Sequence, residues 1–136
     1  MDVIALKLRL QAAGCNPANY AINGRQHDAF CLEQQDGIWV VFYAERGLMG
    51  EVFLRTPDES EACAFFFDKV SQQQHWHLVG AFENAADAEV CAQEILALGA
   101  QPMRNDLPVL MGVKARYRVF VVGKDIFKVN AFKSPT

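Results

Sequence analysis

His75 and His77 stand two residues apart in a run that reads as a strand, so their imidazoles point to one face, a spacing that zinc sites use. Two ligands do not close a tetrahedral site. A third would have to come from His27, a cysteine or a carboxylate brought near by the fold, so no metal is expected. No serine sits in a G-x-S-x-G elbow, and Cys15, Cys31, Cys63 and Cys91 lie far apart with no C-x-x-C pair. Cys31, Cys63 and Cys91 fall on apolar faces of predicted elements, where burial raises a thiol's pKa and makes it a poor nucleophile. Gly47 and Gly50 flank Leu48-Met49 without a following lysine and serine or threonine, so they mark a turn and not a phosphate cradle. No catalytic residue and no cofactor is expected, and the chain reads as a protein that is not an enzyme.

Charge carries more information than any of these clusters. Residues 1–102 hold 14 acids and 6 bases, whereas residues 103–136 hold 2 acids and 7 bases, a segregation hidden inside a net charge of −3. Two acidic groups, Asp58/Glu59/Glu61 and Asp87/Glu89/Glu94, fall on predicted helices, and such a face suits a basic protein partner. Carboxylates in a first helical turn also meet the helix dipole favourably, which accounts for Asp58, Glu59, Asp87 and Glu89 without any partner. Residues 83–94 nevertheless contain four acids and no base, where a solvated helix mixes signs. In the basic stretch, Lys114, Arg116 and Arg118 alternate onto one strand face, and Lys124 and Lys128 follow. Tyr117, Phe120, Phe127 and Phe132 are interleaved with them. Single-stranded nucleic-acid binders use that mixture for stacking and backbone contacts. The acids elsewhere would repel a polyanion, so nucleic acid is not the expected partner.

The elements that position these residues are legible in outline. Ile4, Leu8 and Ala12, four apart and followed by Gly14, predict an amphipathic helix over Val3 to Ala13. Short strands are expected at Tyr20 to Ile22 and Ala29 to Gln34, and Asp36-Gly37 signals a hairpin into Ile38 to Ala44. That last run is apolar on both faces, which implies cover on both sides or a partner on one. A turn over Glu45 to Gly50 leads into a strand from Glu51 to Arg55. Thr56-Pro57-Asp58-Glu59 supplies an N-cap, a proline at N1 and an acid at N3 for a helix from Pro57 to about Gln72, with Ala62, Phe66 and Val70 buried. His75 to Phe82 reads as a strand, and Asn84 with Asp87 opens a helix that Gly99 closes. Pro102 to Gly112 is expected as a loop, and Arg116 to Val122 with Asp125 to Ala131 as a closing hairpin.

The 136 residues, 51% of them apolar, suffice for one domain over 1–136 with a proper core. The expected fold class is α+β, an antiparallel sheet in one piece or in two sub-sheets, packed against two to three helices. No charged segment followed by an apolar run opens the sequence, and no stretch reaches the ~20 apolar residues of a membrane span. A cytoplasmic protein with reduced thiols and no membrane partner is therefore expected.

The run Ile38-Trp39-Val40-Val41-Phe42-Tyr43-Ala44-Glu45-Arg46-Gly47, continued by Glu61-Ala62-Cys63-Ala64-Phe65-Phe66, resembles small bacterial immunity proteins. Such proteins are encoded beside polymorphic or contact-dependent growth inhibition toxins. Arg104-Asn105-Asp106-Leu107-Pro108 and Arg116-Tyr117-Arg118-Val119-Phe120-Val121 are similar to segments of the same group. The resemblance implies a protein that binds the C-terminal toxin domain of its own system and blocks it, often by covering a nuclease active site. It transfers no site residue by itself. Joined to the charge pattern, it gives one expectation: Asp58, Glu59, Glu61, Asp87, Glu89 and Glu94 meet a basic toxin surface. Tyr43 and Trp76 would anchor the contact, with Glu45 and Arg46 at a hairpin tip as polar contacts. The alternatives are a nucleic-acid-binding regulator using the basic C-terminal segment and, behind it, a metal-dependent hydrolase.

Overall fold

The computed structural model describes residues 1–107, 112 and 114–132, the last three by backbone alone. The chain groups into two compact units, Met1–Gln74 and His75–Thr136, each with its own sheet and core. The class is α+β: among the described residues, four helices accompany sheets of four and three strands, antiparallel in every pairing but one.

The first unit runs α1 (Val3–Ala12), β1 (Tyr20–Ile22), β2 (Ala29–Gln35), β3 (Ile38–Glu45), β4 (Leu48–Thr56) and α2 (Glu59–Ser71). Its sheet has the order β1-β2-β3-β4, with β1 parallel to β2 and the rest antiparallel. Both hairpins turn on two residues of positive φ, Asp36 (52°) with Gly37 (80°) and Arg46 (54°) with Gly47 (78°). Paired left-handed residues match the right-handed twist of the flanking strands. β3 is an interior strand and buries both of its faces. Trp39 and Val41 join Leu32 against Leu6 and Leu10 of α1 and Ala62, Cys63, Phe66 and Val70 of α2. Val40, Phe42 and Ala44 join Cys31 in a second cluster edged by Ala21, Ile38, Met49 and Val52. The Arg25 guanidinium lies 5.1 Å over the Phe42 ring, held by a 2.7 Å ion pair with Glu33.

Three expectations in this unit need correction. The turn expected over Glu45 to Gly50 is confined to Arg46-Gly47, whose paired left-handed conformations reverse the chain in two residues, so Leu48–Gly50 already belong to β4. On α1 the buried residues are Leu6 and Leu10, while Ile4 is 73% and Leu8 63% exposed. The helix carries two apolar stripes about 200° apart, and local pattern cannot choose between them. Tertiary contacts choose: Glu59 Oε2 of α2 accepts a 3.0 Å bond from Val3 N, and the terminal amine donates to Ser60 Oγ, which fixes how α1 lies on α2. The cap of α2 is Asp58, not Thr56; its carboxylate accepts from Ser60 N and Glu61 N, while Thr56 Oγ1 accepts from Asp58 N. The proline thus precedes the helix instead of opening it.

The second unit runs β5 (Trp76–Phe82), α3 (Ala85–Ala97), β6 (Met103–Leu107), β7 (Arg116–Val122) and α4 (Asp125–Phe132). The sheet order is β5-β7-β6, both outer strands antiparallel to β7 and hence parallel to each other, with α3 crossing between them as in a split β-α-β unit. α3 begins as expected, Asn84 Oδ1 accepting from Asp87 N. It ends on Gly99 at φ 85°, with Ala100 N bonded back to Ile95 O. Val79, Val119 and Val121 of the sheet pack with Ala88 and Ile95 of α3 and Val129 of α4.

Here the closing hairpin is corrected. Its first arm is β7, but residues from Asp125 form a helix. β7 already has β5 on one edge and β6 on the other, so the partner strand expected beside it has no place on β7. The chain instead folds Ile126 and Val129, three apart, onto the core. Part of the expected loop is also corrected, since Met103–Leu107 is the edge strand β6; residues 108–111 of that loop lie outside the described residues. No β-branched residue marks β6, which explains why it does not read as a strand.

Candidate functional site

The two faces of the second sheet differ. Strand alternation sends Tyr117, Val119 and Val121 of β7 toward the helices, and Arg116, Arg118, Phe120 and Val122 the other way. Register sets beside the latter Trp76, Leu78 and Ala81 of β5, and Met103, Asn105 and Leu107 of β6. This face mixes large apolar groups with cations. Leu78, inside β5, is 54% exposed, and Leu107, the last residue of β6, is 45% exposed. Trp76 and Phe120 meet edge to face, ring centroids 5.4 Å apart at 72°. Arg118 lies 5.5 Å over the Phe120 ring and donates from Nη2 to Asn105 Oδ1 at 2.8 Å. Its Nε is buried with no hydrogen-bond partner among the described residues. A cleft of about 320 Å³ opens at one end, lined by Leu78, Ala81 and Phe82 on one side and Lys114, Arg116 and Arg118 on the other.

The acids singled out from the sequence are in large part engaged within their own unit. Asp58 caps α2 and Glu59 holds the start of α1. Asp87 Oδ2 accepts from Asn84 Nδ2, which fastens the first turn of α3. Glu89 accepts from Arg104 Nη1 at 3.1 Å and from Gln93 Nε2, and the same guanidinium makes two bonds to Asp106. Glu61 and Glu94 are exposed on the outer sides of α2 and α3. Tyr43 is half-buried and packs edge to face on Phe30 at 5.2 Å; burial, with the nearby Asp28 and Glu45 carboxylates, raises its phenol pKa. Glu45 ends β3 and Arg46 occupies the β3-β4 turn, as expected of a hairpin tip. Trp76 belongs to the sheet face described above. Tyr43, Glu45, Arg46, Asp58, Glu59 and Glu61 lie in the first unit, and Trp76, Asp87, Glu89 and Glu94 in the second.

The interleaved aromatics of the basic stretch do not share a face. Tyr117 packs toward α3 and Phe127 lies on α4, which leaves Phe120 with Arg116 and Arg118; the Phe132 side chain lies outside the described residues. Lys124 stands in the turn before α4, and Lys128, on the helix, donates to Gly99 O at 3.0 Å. His75 is buried just before β5, its carbonyl accepting from Gly123 N, and His77 pairs with Val121 in the sheet. No group of three His, Cys, Asp or Glu side chains that would hold a metal ion is found among the described residues. Burial raises the thiol pKa of Cys15, Cys31 and Cys63. No helix among the described residues is long and apolar enough to cross a membrane.

Leu78 and Leu107 were the parts of this face that the sequence did not announce. Leu78 follows Trp76 at the two-residue spacing of one strand face, which is the available signal; Leu107 ends β6, whose residues carry no strand signal of their own. Compared with known proteins, the chain matches no family model, no curated protein and no solved structure.

Proposed function

We propose that this protein acts by stoichiometric docking onto a protein partner, through the face of the β5-β7-β6 sheet turned away from α3 and α4. The observation that carries the reading is the exposure of Leu78 and Leu107 on strands that also present Trp76, Phe120, Arg116 and Arg118. Tryptophan and arginine dominate interface hot spots, and aromatic residues and methionine are enriched at interface cores. Burying the exposed leucines would contribute about 25 cal/mol per Å² of apolar surface removed from water. The class of partner rests on the resemblance to immunity proteins: a toxin domain, neutralised because its working surface is occupied. The acid-led version of that contact has less to stand on, because Asp58, Glu59, Asp87 and Glu89 already serve caps and bonds within their units.

Calorimetric titration of the full chain with the C-terminal domain of a toxin encoded beside it tests the reading. A one-to-one complex is expected. Leu78→Asp should weaken it by at least about tenfold, the 1.4 kcal/mol expected of one lost apolar contact at an interface core, while Glu61→Lys and Glu94→Lys leave it unchanged. The opposite pattern would return the contact to the acidic helices. Absence of any complex would remove the toxin from the proposal.

A further inference from the structure

We infer that the segment received by this sheet face carries carboxylates, and that Lys114, Arg116 and Arg118 receive them at the cleft beside β5. The inference rests on the docking surface proposed above and names the chemistry of what docks there. Three cations line the cleft against one acid, Glu83. Lys114 Nζ stands 3.9 Å from Glu83 Oε1 with both side chains exposed, a pair weak enough for an incoming carboxylate to replace. Arg118 is held in place by Asn105 and the Phe120 ring, so its guanidinium is oriented before any ligand arrives. Its Nε is a donor whose acceptor is missing among the described residues, and the fork of a guanidinium matches a carboxylate in shape and charge. Arg116 is exposed at the cleft wall. Leu78, Ala81 and Phe82 supply an apolar floor for the carbon chain that bears the acid.

Charge alone would also suit a nucleic acid. Stacking needs free ring faces, however, and Phe120 has Arg118 over one face and the Trp76 ring against it, while Tyr117 points toward α3. A surface that exposes Leu78 and Leu107 beside a cationic end fits an acidic amphipathic protein segment better than a phosphate backbone.

The test uses the full chain, labelled with ¹⁵N, and three probes: a capped octapeptide alternating leucine with glutamate, its glutamine counterpart, and a single-stranded oligothymidylate. Shifts of the Leu78, Arg118 and Phe120 amides locate binding, and fluorescence anisotropy measures it. The glutamate peptide should bind at least about tenfold more tightly than the glutamine peptide in about 0.05 M salt, and the advantage should shrink in about 0.5 M salt. Arg116→Glu, an exposed position, should abolish the preference without altering the fold. Equal binding of the two peptides at these amides would overturn the carboxylate inference and leave the docking surface standing. Tighter binding of the oligothymidylate would overturn it in favour of nucleic acid. Shifts from none of the three would sink both.

Discussion

In the first unit β3 buries Trp39 and Val41 on one side and Val40, Phe42 and Ala44 on the other. In the second unit β7 buries Val119 and Val121 on one side and sets Arg116, Arg118 and Phe120 on the other. Both are interior strands of largely antiparallel sheets. The difference is in the side chains, apolar on both faces of β3 and alternating along the first half of β7. A strand with two apolar faces buries both in folding, and a strand with one apolar face in an antiparallel sheet can leave the other facing water. The docking proposal follows from that contrast.

The largest effect that would sharpen it is on stability. Phe42→Ala removes a fully buried ring and should cost about 3–5 kcal/mol, while Leu78→Ser on the second sheet should fall within about 0.5 kcal/mol, both read from urea unfolding. A comparable loss from Leu78→Ser would mean that this face belongs to a core. Next in size, a Cβ added at Gly50 would lie 2.7 Å from the Tyr43 carbonyl oxygen, across the irregular β3-β4 pairing. Gly50→Ala should therefore cost about 1–3 kcal/mol, and Gly24→Ala, where the same atom meets open space, should show no clash penalty.

A third, smaller contrast is in pH dependence. Cys15, Cys31 and Cys63 all belong to the first unit, and burial raises each thiol above the ordinary value of 9.0. The unfolded chain then loses these protons first. Stability from the thiols is complete below pH 9.0 and is lost as the pH climbs through the folded values. With Trp39 reporting the first unit and Trp76 the second in single-tryptophan variants, the Trp39 transition should weaken first above that pH. If the Trp76 transition weakens first, the assignment of the alkaline loss to these thiols fails. The smallest effect concerns Arg104, whose partners Glu89 and Asp106 are exposed; Arg104→Met should cost no more than about 1 kcal/mol in unfolding experiments.

Local signals located most elements because each has a local cause. Asp36-Gly37 made its turn because adjacent left-handed residues suit Asp and Gly, and Asn84 capped α3 because its oxygen reaches Asp87 N three residues on. Other features have no local cause. Whether α1 buries Leu6 and Leu10 or Ile4 and Leu8 depends on where α2 lies. Asp125–Phe132 cannot form a hairpin with β7 because β5 and β6 take both edges of that strand, which no window of sequence around it reveals. The site is legible only in pieces: Trp76 and the alternation of Arg116 and Arg118 can be read along the chain, but of the acids expected to form a face Asp58, Glu59, Asp87 and Glu89 serve bonds within their units, while Glu61 and Glu94 stay exposed.

By itself the amino-acid order determined an α+β chain with apolar cores, well-capped helices and charge of opposite sign in its two ends, since these follow from side-chain chemistry over a few neighbouring residues. Only the tertiary structure decided which charges remain available and which strand face stays open. Those are properties of strand order and helix placement, set by contacts between residues such as Leu78 and Phe120, or Glu89 and Arg104, that lie far apart in sequence and adjacent in space.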